Sequence, residues 1–160
     1  MGVGQELNGD DAAGVLVARN LEKRQRAGGS APRSVSISLL VVEGAHAPEN
    51  STGAIRRFAP DLVLLIDAAE MGDHPGTIRW LDWQEAVGLD SSTHSLPPSM
   101  VARYLAAELS CEVALIGIQV QDTSLGVRIS PPVRRAIRTV AQSLAALLLA
   151  PAIPDDPLRP

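Results

Sequence analysis

The chain has little of what would cross-link it, anchor it in a membrane or attach it to nucleic acid. It contains one cysteine, Cys111, so it can form no intramolecular disulfide, and nothing indicates an oxidising compartment. No apolar run is long enough to span a bilayer, and no signal peptide is recognisable near Met1. The 14 basic residues form no dense block and are outnumbered by 18 acidic ones. We therefore expect a cytoplasmic protein with no membrane and no nucleic acid among its partners.

What the sequence does contain is an alternation of strand-like and helix-like segments along its 160 residues. Apolar, β-branched runs predict strands over 34–42, 62–67, 77–81 and 111–118. Apolar periodicity and terminal signals predict helices over 10–25, 51–59, 97–110 and 131–150. This alternation indicates an α/β fold with three αβα layers, in which helices cover both faces of a mostly parallel twisted sheet of about five strands. We expect one domain over 1–150 and a disordered, proline-rich tail over 151–160.

Polar side chains follow the predicted strands at the points where the strands end. Asp10 and Asp11 come after the first glycine-punctuated turn, Asp67 ends the run LVLLID, and His94 lies in the loop DSSTHSLPPS. In an open parallel sheet these loops meet at one edge, where two carboxylates and an imidazole could bind a borderline divalent ion such as Ni or Zn. Each residue also has a simpler interpretation. Asp10 or Asp11 could cap a helix, Asp67 could form a turn, and His94 could be an exposed loop residue.

Four segments together resemble the signatures of the hydrogenase maturation proteases: GVGQELNGDDAAG, LLIDAAEMGDHPG, STHSLPPS and LIGIQ. The resemblance extends over residues 2 to 145, with the segments in matching order and spacing. It is strongest to the type that processes the large subunit of formate-hydrogenlyase hydrogenase. One departure lies in the turn, where Gln5 stands in place of the asparagine usual in that family. Glutamine keeps the amide and adds a methylene, so the turn should differ only in its fine shape.

The resemblance implies an endopeptidase that removes the C-terminal extension of a [NiFe]-hydrogenase large subunit precursor after nickel insertion. The nickel is supplied by the substrate, and no tightly bound cofactor of the enzyme's own is expected. The family's metal-contacting and catalytic residues correspond here to Asp11, Asp67 and His94. The protein is expected to be a monomer. The hydrolytic step stays open, because a metal could polarise the carbonyl or a bound water, or either carboxylate could act as general base.

Four residues at the same edge are predicted substrate contacts: Gly4 and Gln5 in the first turn, His46 after the second strand, and Gln119 at the end of the last strand. Cys111 is not expected to be a nucleophile. Glu108 and Glu112 lie close to it in the sequence and would raise the pKa of its thiol, so a buried, inert cysteine is predicted.

Two other functions fit parts of the sequence. A non-catalytic nickel-sensing maturation chaperone of the same fold would use the same three residues, so only a cleavage assay separates it from a peptidase. A Rossmann-like nucleotide-binding module is less compatible, because the turn lacks the third glycine at the required spacing. Asp10 and Asp11 at the start of the helix would also repel a pyrophosphate.

The first strand is expected to be truncated, since only Met1 to Val3 precede the turn. In the family that the chain resembles, a longer apolar run fills this place as a central strand. Each missing apolar side chain would remove burial worth about 1.5–3 kcal/mol. We therefore expect the true start codon to lie upstream, with a short extension rich in Val, Leu and Ile. The alternative is a fold that survives with a shortened first strand and low stability.

Overall fold

A computed structural model describes residues 1–27, 37–82, 84, 98–109 and 111–149 of the chain. Five strands and four α-helices follow one another in it, with 3₁₀ turns at Gly9–Ala12 and Pro48–Ser51 leading into the first two helices. The elements are β1 (Gly2–Val3), α1 (Ala13–Ala27), β2 (Glu43–Ala45), α2 (Thr52–Phe58), β3 (Leu62–Ala69), β4 (Ile78–Leu81), α3 (Pro98–Leu109), β5 (Glu112–Gln119) and α4 (Pro131–Leu148). None of these helices is both long and apolar enough to cross a membrane.

The strands form one sheet in the order β2-β1-β3-β5-β4. All neighbouring pairs are parallel except the last, in which the edge strand β4 runs antiparallel to β5. The longest pairing joins β3 to β5, from Leu62 opposite Glu112 to Ala69 opposite Gln119. The predicted mostly parallel, five-stranded α/β sheet is therefore confirmed.

Helices cover both faces of the sheet and enclose two separate apolar clusters. On one face α1 and α4 pack over β3 and β5, and the buried residues there include Val17, Ile66, Ile118, Val133 and Ile137. On the other face α2 and α3 cover the same two strands, and the buried residues include Ile55, Leu65, Val101, Leu105 and Leu115. Side chains of β3 alternate between the two clusters, as expected for a strand covered on both faces. The two central strands are therefore the most deeply buried part of the fold.

The first strand is short, as predicted, and hydrogen bonds from Met1 extend its pairing with β3. The Met1 carbonyl accepts from the Ile66 amide at 2.9 Å, and the Met1 amino group donates to the Leu64 carbonyl at 2.7 Å. Burial lowers the pKa of this amino group to about 5, so it is mostly neutral at pH 7.

The second strand is the clearest departure from the predicted elements. A strand was expected over 34–42, but β2 is Glu43–Ala45, residues 37–42 are not in a strand, and 34–36 lie outside the described residues. The reason is pairing: β2 lies at the edge of the sheet, and β1 offers it only Gly2 and Val3 as partners. The apolar run before Glu43 contacts β1 at its end, where the Val42 carbonyl accepts a hydrogen bond from the Gly2 amide at 2.9 Å. The predicted tail over 151–160 also lies outside the described residues.

Candidate functional site at the carboxyl edge of the sheet

Asp11 and Asp67 lie close together at the carboxyl edge of the sheet. Asp67 belongs to β3 and is followed by two more strand residues, so it does not end the strand as predicted. Asp11 lies in the 3₁₀ turn between β1 and α1. Because β1 and β3 are neighbours, paired at Gly2 and Ile66, the turn that leaves β1 places Asp11 beside Asp67. The predicted meeting of these two carboxylates is present in the structure.

The electrostatics of this pair are unfavourable when both carboxylates are charged. Burial raises the pKa of Asp67, and the charge of Asp11 raises it further, to about 7. Burial also raises the pKa of Asp11, against the opposing effect of a hydrogen bond from the Gln5 amide. Both residues are half-buried. The pair therefore tends to hold a proton near neutral pH, and a nearby cation would favour its doubly ionised form.

The turn that carries Asp11 is held in shape by Gly4 and Gln5. Gly4 has a φ of 130°, and a Cβ there would overlap the carbonyl oxygen of Asp11. Only glycine lets the chain pass so close to that carbonyl. The Gln5 amide then donates to Oδ2 of Asp11 at 2.8 Å and fixes the orientation of the carboxylate. Direct contact of Gly4 or Gln5 with a substrate stays a prediction.

Asp10 has a different environment from its neighbour Asp11. It is fully buried, and its carboxylate accepts hydrogen bonds from the segment between β5 and α4. The donors are the amides of Gln121, Asp122 and Ser130 and the hydroxyl of Ser130. Ser130 is the N-cap residue of α4, so the carboxylate of Asp10 sits at the positive end of that helix. Asp10 therefore accepts hydrogen bonds at the start of a helix, as a capping residue does, but this helix is α4 and not α1, which follows Asp10 in the chain.

Gln119 is buried, and its amide group bonds to the loop that follows β3. The side-chain oxygen accepts from the amides of Met71 at 2.6 Å and Asp73 at 3.2 Å. The side-chain nitrogen donates to Glu70 at 2.8 Å and to the Val120 carbonyl at 3.0 Å. Both polar atoms are therefore occupied within the protein. A direct contact with substrate stays a prediction, and it would require some of these bonds to be exchanged.

Arg19 of α1 joins the first turn to β2, which the sequence did not suggest. Its guanidinium forms paired hydrogen bonds with Glu6 and with Glu43, the shortest to each being 2.7 Å. The guanidinium holds the pKa of Glu6 below its usual range.

His46 is exposed just beyond β2, and the carbonyl of its neighbour Ala45 accepts a hydrogen bond from the Gly4 amide at 3.0 Å. His46 therefore lies on the same edge as the Asp11 turn, as predicted.

His94 lies outside the described residues, so the structure does not place the predicted third ligand. Within the described ranges, no group of three His, Cys, Asp or Glu side chains could hold a metal ion. The described part of the site thus offers two carboxylates, and a third ligand has to come from elsewhere.

The prediction that Cys111 is buried is confirmed: it is 9% exposed, and burial raises the pKa of its thiol.

Comparison with known proteins gives a consistent result. A family model described as "Hydrogenase maturation protease" matches residues 15–147. The hydrogenase 3 maturation protease of Escherichia coli strain K12 is 32% identical over 143 residues, which are 89% of this chain and 85% of that protein. A crystal structure of the [NiFe] hydrogenase maturation protease HycI from Thermococcus kodakarensis KOD1 matches with a TM-score of 0.77 and 32% identity, over 92% of this chain and 89% of that one. The solution structure of the endopeptidase HycI from Escherichia coli matches with a TM-score of 0.74 and 32% identity, over 89% and 85%.

Proposed function

Because the chain belongs to the hydrogenase maturation protease family and is a peptidase, we propose that it cleaves a [NiFe]-hydrogenase large subunit precursor. In this proposal the enzyme removes the C-terminal extension once nickel has been inserted into the precursor. The nickel belongs to the substrate, and the enzyme needs no tightly bound cofactor of its own.

The observation that carries this proposal is the pairing of Asp11 with Asp67 at the carboxyl edge of the sheet. Burial raises the pKa of Asp67, and repulsion by the neighbouring Asp11 carboxylate raises it further, to about 7. A divalent cation arriving with the substrate would remove this repulsion. The binding free energy gained in this way would favour the nickel-loaded precursor over the nickel-free one.

We assign His94, predicted from the sequence, as the third group of this site. Two carboxylates and one imidazole suit a borderline divalent ion such as nickel and leave coordination positions for the substrate's own ligands. The three groups would then complete the coordination of a metal that the precursor already holds. Gln5 and His46, on the same edge, are the proposed contacts for the precursor chain around the metal.

For the hydrolytic step, Asp67 is the better candidate for proton transfer. A general base must be ionised to accept a proton, and the substrate's cation would favour the ionised form of Asp67, whose pKa is about 7 in the free protein. Asp11 has one carboxylate oxygen occupied by the Gln5 amide at 2.8 Å, so it is better suited to a fixed contact with the metal. In this division of roles, Asp67 takes a proton from the attacking water, and the substrate's nickel polarises the reacting group.

The direct test is incubation of the purified protein with nickel-loaded precursor, followed by mass spectrometry of the large subunit. The expected product lacks its C-terminal extension, and one new C-terminus appears. Precursor without enzyme and precursor with the Asp67→Asn variant are the controls, and neither should yield the shortened product. Binding of the precursor without any shortening would contradict the proposal and would indicate a non-catalytic chaperone.

A further inference from the structure

The adjacent residues Asp10 and Asp11 have different environments, and the difference indicates a role for Asp10. Asp11 faces Asp67, whereas Asp10 is fully buried and accepts four hydrogen bonds from the segment between β5 and α4. The shortest, 2.7 Å, comes from the amide of Ser130, the N-cap residue of α4. The backbone amide of Asp10 adds a bond to the Asp122 carbonyl at 3.0 Å.

We infer that Asp10 is a positioning residue: its buried carboxylate fastens the turn that carries Asp11 to the start of α4 and the end of β5. The inference rests on the proposed function only for the role of Asp11 in contacting the substrate's metal. It goes beyond that function because it gives a role to a residue that does not reach the carboxylate pair itself.

The chemistry of the pocket explains why an aspartate is required. The three amides that face Asp10 can only donate, so each needs an acceptor once it is removed from water. A carboxylate presents acceptors on both of its oxygens, and the N-terminus of α4 stabilises its negative charge. Asparagine has the same shape but would turn an NH₂ group towards at least one of these donors. Glutamate would not fit a fully buried site without displacing its neighbours.

Other residues of the turn also have long-range bonds, since the Gly4 amide donates to the Ala45 carbonyl at 3.0 Å and the Leu7 carbonyl accepts from the Gly126 amide at 2.7 Å. Next to Asp11 itself, however, the long-range attachment is that of Asp10, because the bonds that join Asp11 to the start of the turn are local. The Asp11 amide donates to Asn8, the Asn8 amide donates to Gln5, and Gln5 donates back to the Asp11 carboxylate. These bonds fix the shape of the turn but not its distance from Asp67. The bonds of Asp10 tie the turn to the rest of the domain, and so they oppose its movement away from the second carboxylate.

The test is the Asp10→Asn variant, with Val133→Ala as the matched control. Val133 is fully buried in the apolar cluster under α4, so its truncation lowers the melting temperature without removing a hydrogen bond of Asp10. Both variants are compared at a temperature at which circular dichroism shows them folded. We expect Asp10→Asn to slow single-turnover cleavage of nickel-loaded precursor by about tenfold or more, and Val133→Ala to change it by less than about threefold.

A second readout does not depend on cleavage. The Gln5 amide proton bonds to Asp11, so its NMR chemical shift reports where that carboxylate lies. It should move in Asp10→Asn and stay in place in Val133→Ala. If Asp10→Asn does not fold, Ser130→Ala removes only the hydroxyl bond of 2.8 Å and should give a smaller displacement of the same signal.

An unchanged Gln5 signal in both Asp10→Asn and Ser130→Ala would overturn the inference. So would equal losses of cleavage in Asp10→Asn and Val133→Ala. Normal cleavage by Asp11→Asn, measured alongside, would instead overturn the proposed function, whereas a moved Gln5 signal would still support the role of Asp10.

Discussion

The charge of Asp11 helps to raise the pKa of Asp67 to about 7, although the two residues come from different segments of the chain. This relationship means that the two carboxylates oppose the stability of the free protein when both are ionised. Such a site is suited to a cationic substrate, although the repulsion between the carboxylates lowers the stability of the free protein.

The first prediction concerns removal of one of these charges. Asp67→Asn should abolish processing of the precursor, because it removes the proposed base and one contact to the metal. The same variant should melt at a higher temperature than the wild type near about pH 8, because it ends the repulsion by Asp11. Scanning calorimetry and the cleavage assay check the two effects. A lower melting temperature together with normal cleavage would show that the charge pair has no such role.

The second prediction is the pH dependence of this effect. The folded-state pKa of Asp67 is raised from 3.8 to about 7, so between these values the folded state holds a proton that the unfolded state has lost. Its contribution to stability is therefore greatest at low pH and declines as pH rises towards 7. The full change is at most about 4 kcal/mol and smaller for a half-buried group that water reaches.

The measurement is denaturant unfolding of wild type and Asp67→Asn from about pH 5 to pH 8. The Met1 amino group, whose pKa is lowered to about 5, titrates in the same interval with the opposite sign. It is present in both proteins, so the difference between them isolates Asp67. That difference should move in favour of Asp67→Asn as the pH rises, and a constant difference would refute the prediction.

The third prediction concerns Gly4 and the close approach that it allows. Gly4→Ala places a Cβ against the Asp11 carbonyl at a φ of 130°, so the turn must shift or the protein must unfold. We expect a loss of at least about 2 kcal/mol of stability and a large loss of cleavage. Gly53→Ala in α2 is the control, because its Cβ would meet nothing closer than 3.7 Å. That change should leave stability unchanged or raise it by up to about 1 kcal/mol. Equal effects of the two changes would argue against the close approach.

The fourth prediction concerns the ion pairs of Arg19. Arg19→Met removes the bonds to Glu6 and Glu43 and should cost about 1 kcal/mol, because the Arg19 side chain is only 31% exposed and pairs with two carboxylates. The cost should shrink at about 1 M salt. Arg26→Met removes an exposed pair with Glu22 and should change the melting temperature little. A salt-independent cost for Arg19→Met would indicate lost packing rather than lost charge.

The fifth prediction concerns metal in the isolated protein. Protein purified in the presence of chelator should contain little bound metal, because two carboxylates and one imidazole without a thiolate hold divalent ions weakly. Zn or Cd soaked into crystals should nevertheless bind between Asp11, Asp67 and His94, where anomalous scattering would locate it. A stoichiometric metal that survives chelator would mean that the metal belongs to the enzyme and not to its substrate.

The central part of the fold and the main carboxylate pair could be predicted from the sequence. The apolar runs of β3 and β5 are buried on both faces, and such strands have a strong local pattern. That the first turn and Asp67 meet followed from a general property of parallel sheets, in which the carboxyl ends of the strands share one edge. The choice of Asp11 over Asp10 followed only from the resemblance to the family. Neither prediction needed knowledge of contacts between distant residues.

What the sequence could not reveal depends on such distant contacts. β2 is displaced from its apolar run because its partner β1 offers only two residues for pairing. The acceptor role of Asp10 depends on amides more than a hundred residues later in the chain. Ser130 before two prolines does indicate the start of a helix, but nothing in that signal points to Asp10. The bonds of Arg19 to Glu6 and Glu43 likewise have no local pattern.

The most direct test of the central claim is the single-turnover cleavage rate of precursor with and without nickel in its active site. If Asp11 and Asp67 recognise the substrate's metal, nickel-loaded precursor should be cleaved at least about a hundredfold faster than nickel-free precursor. Nickel-loaded precursor should also be cleaved at the same rate when the enzyme has been treated with chelator and desalted. Equal rates for the two precursors would contradict the account, because the carboxylate pair would then have no part in recognising nickel.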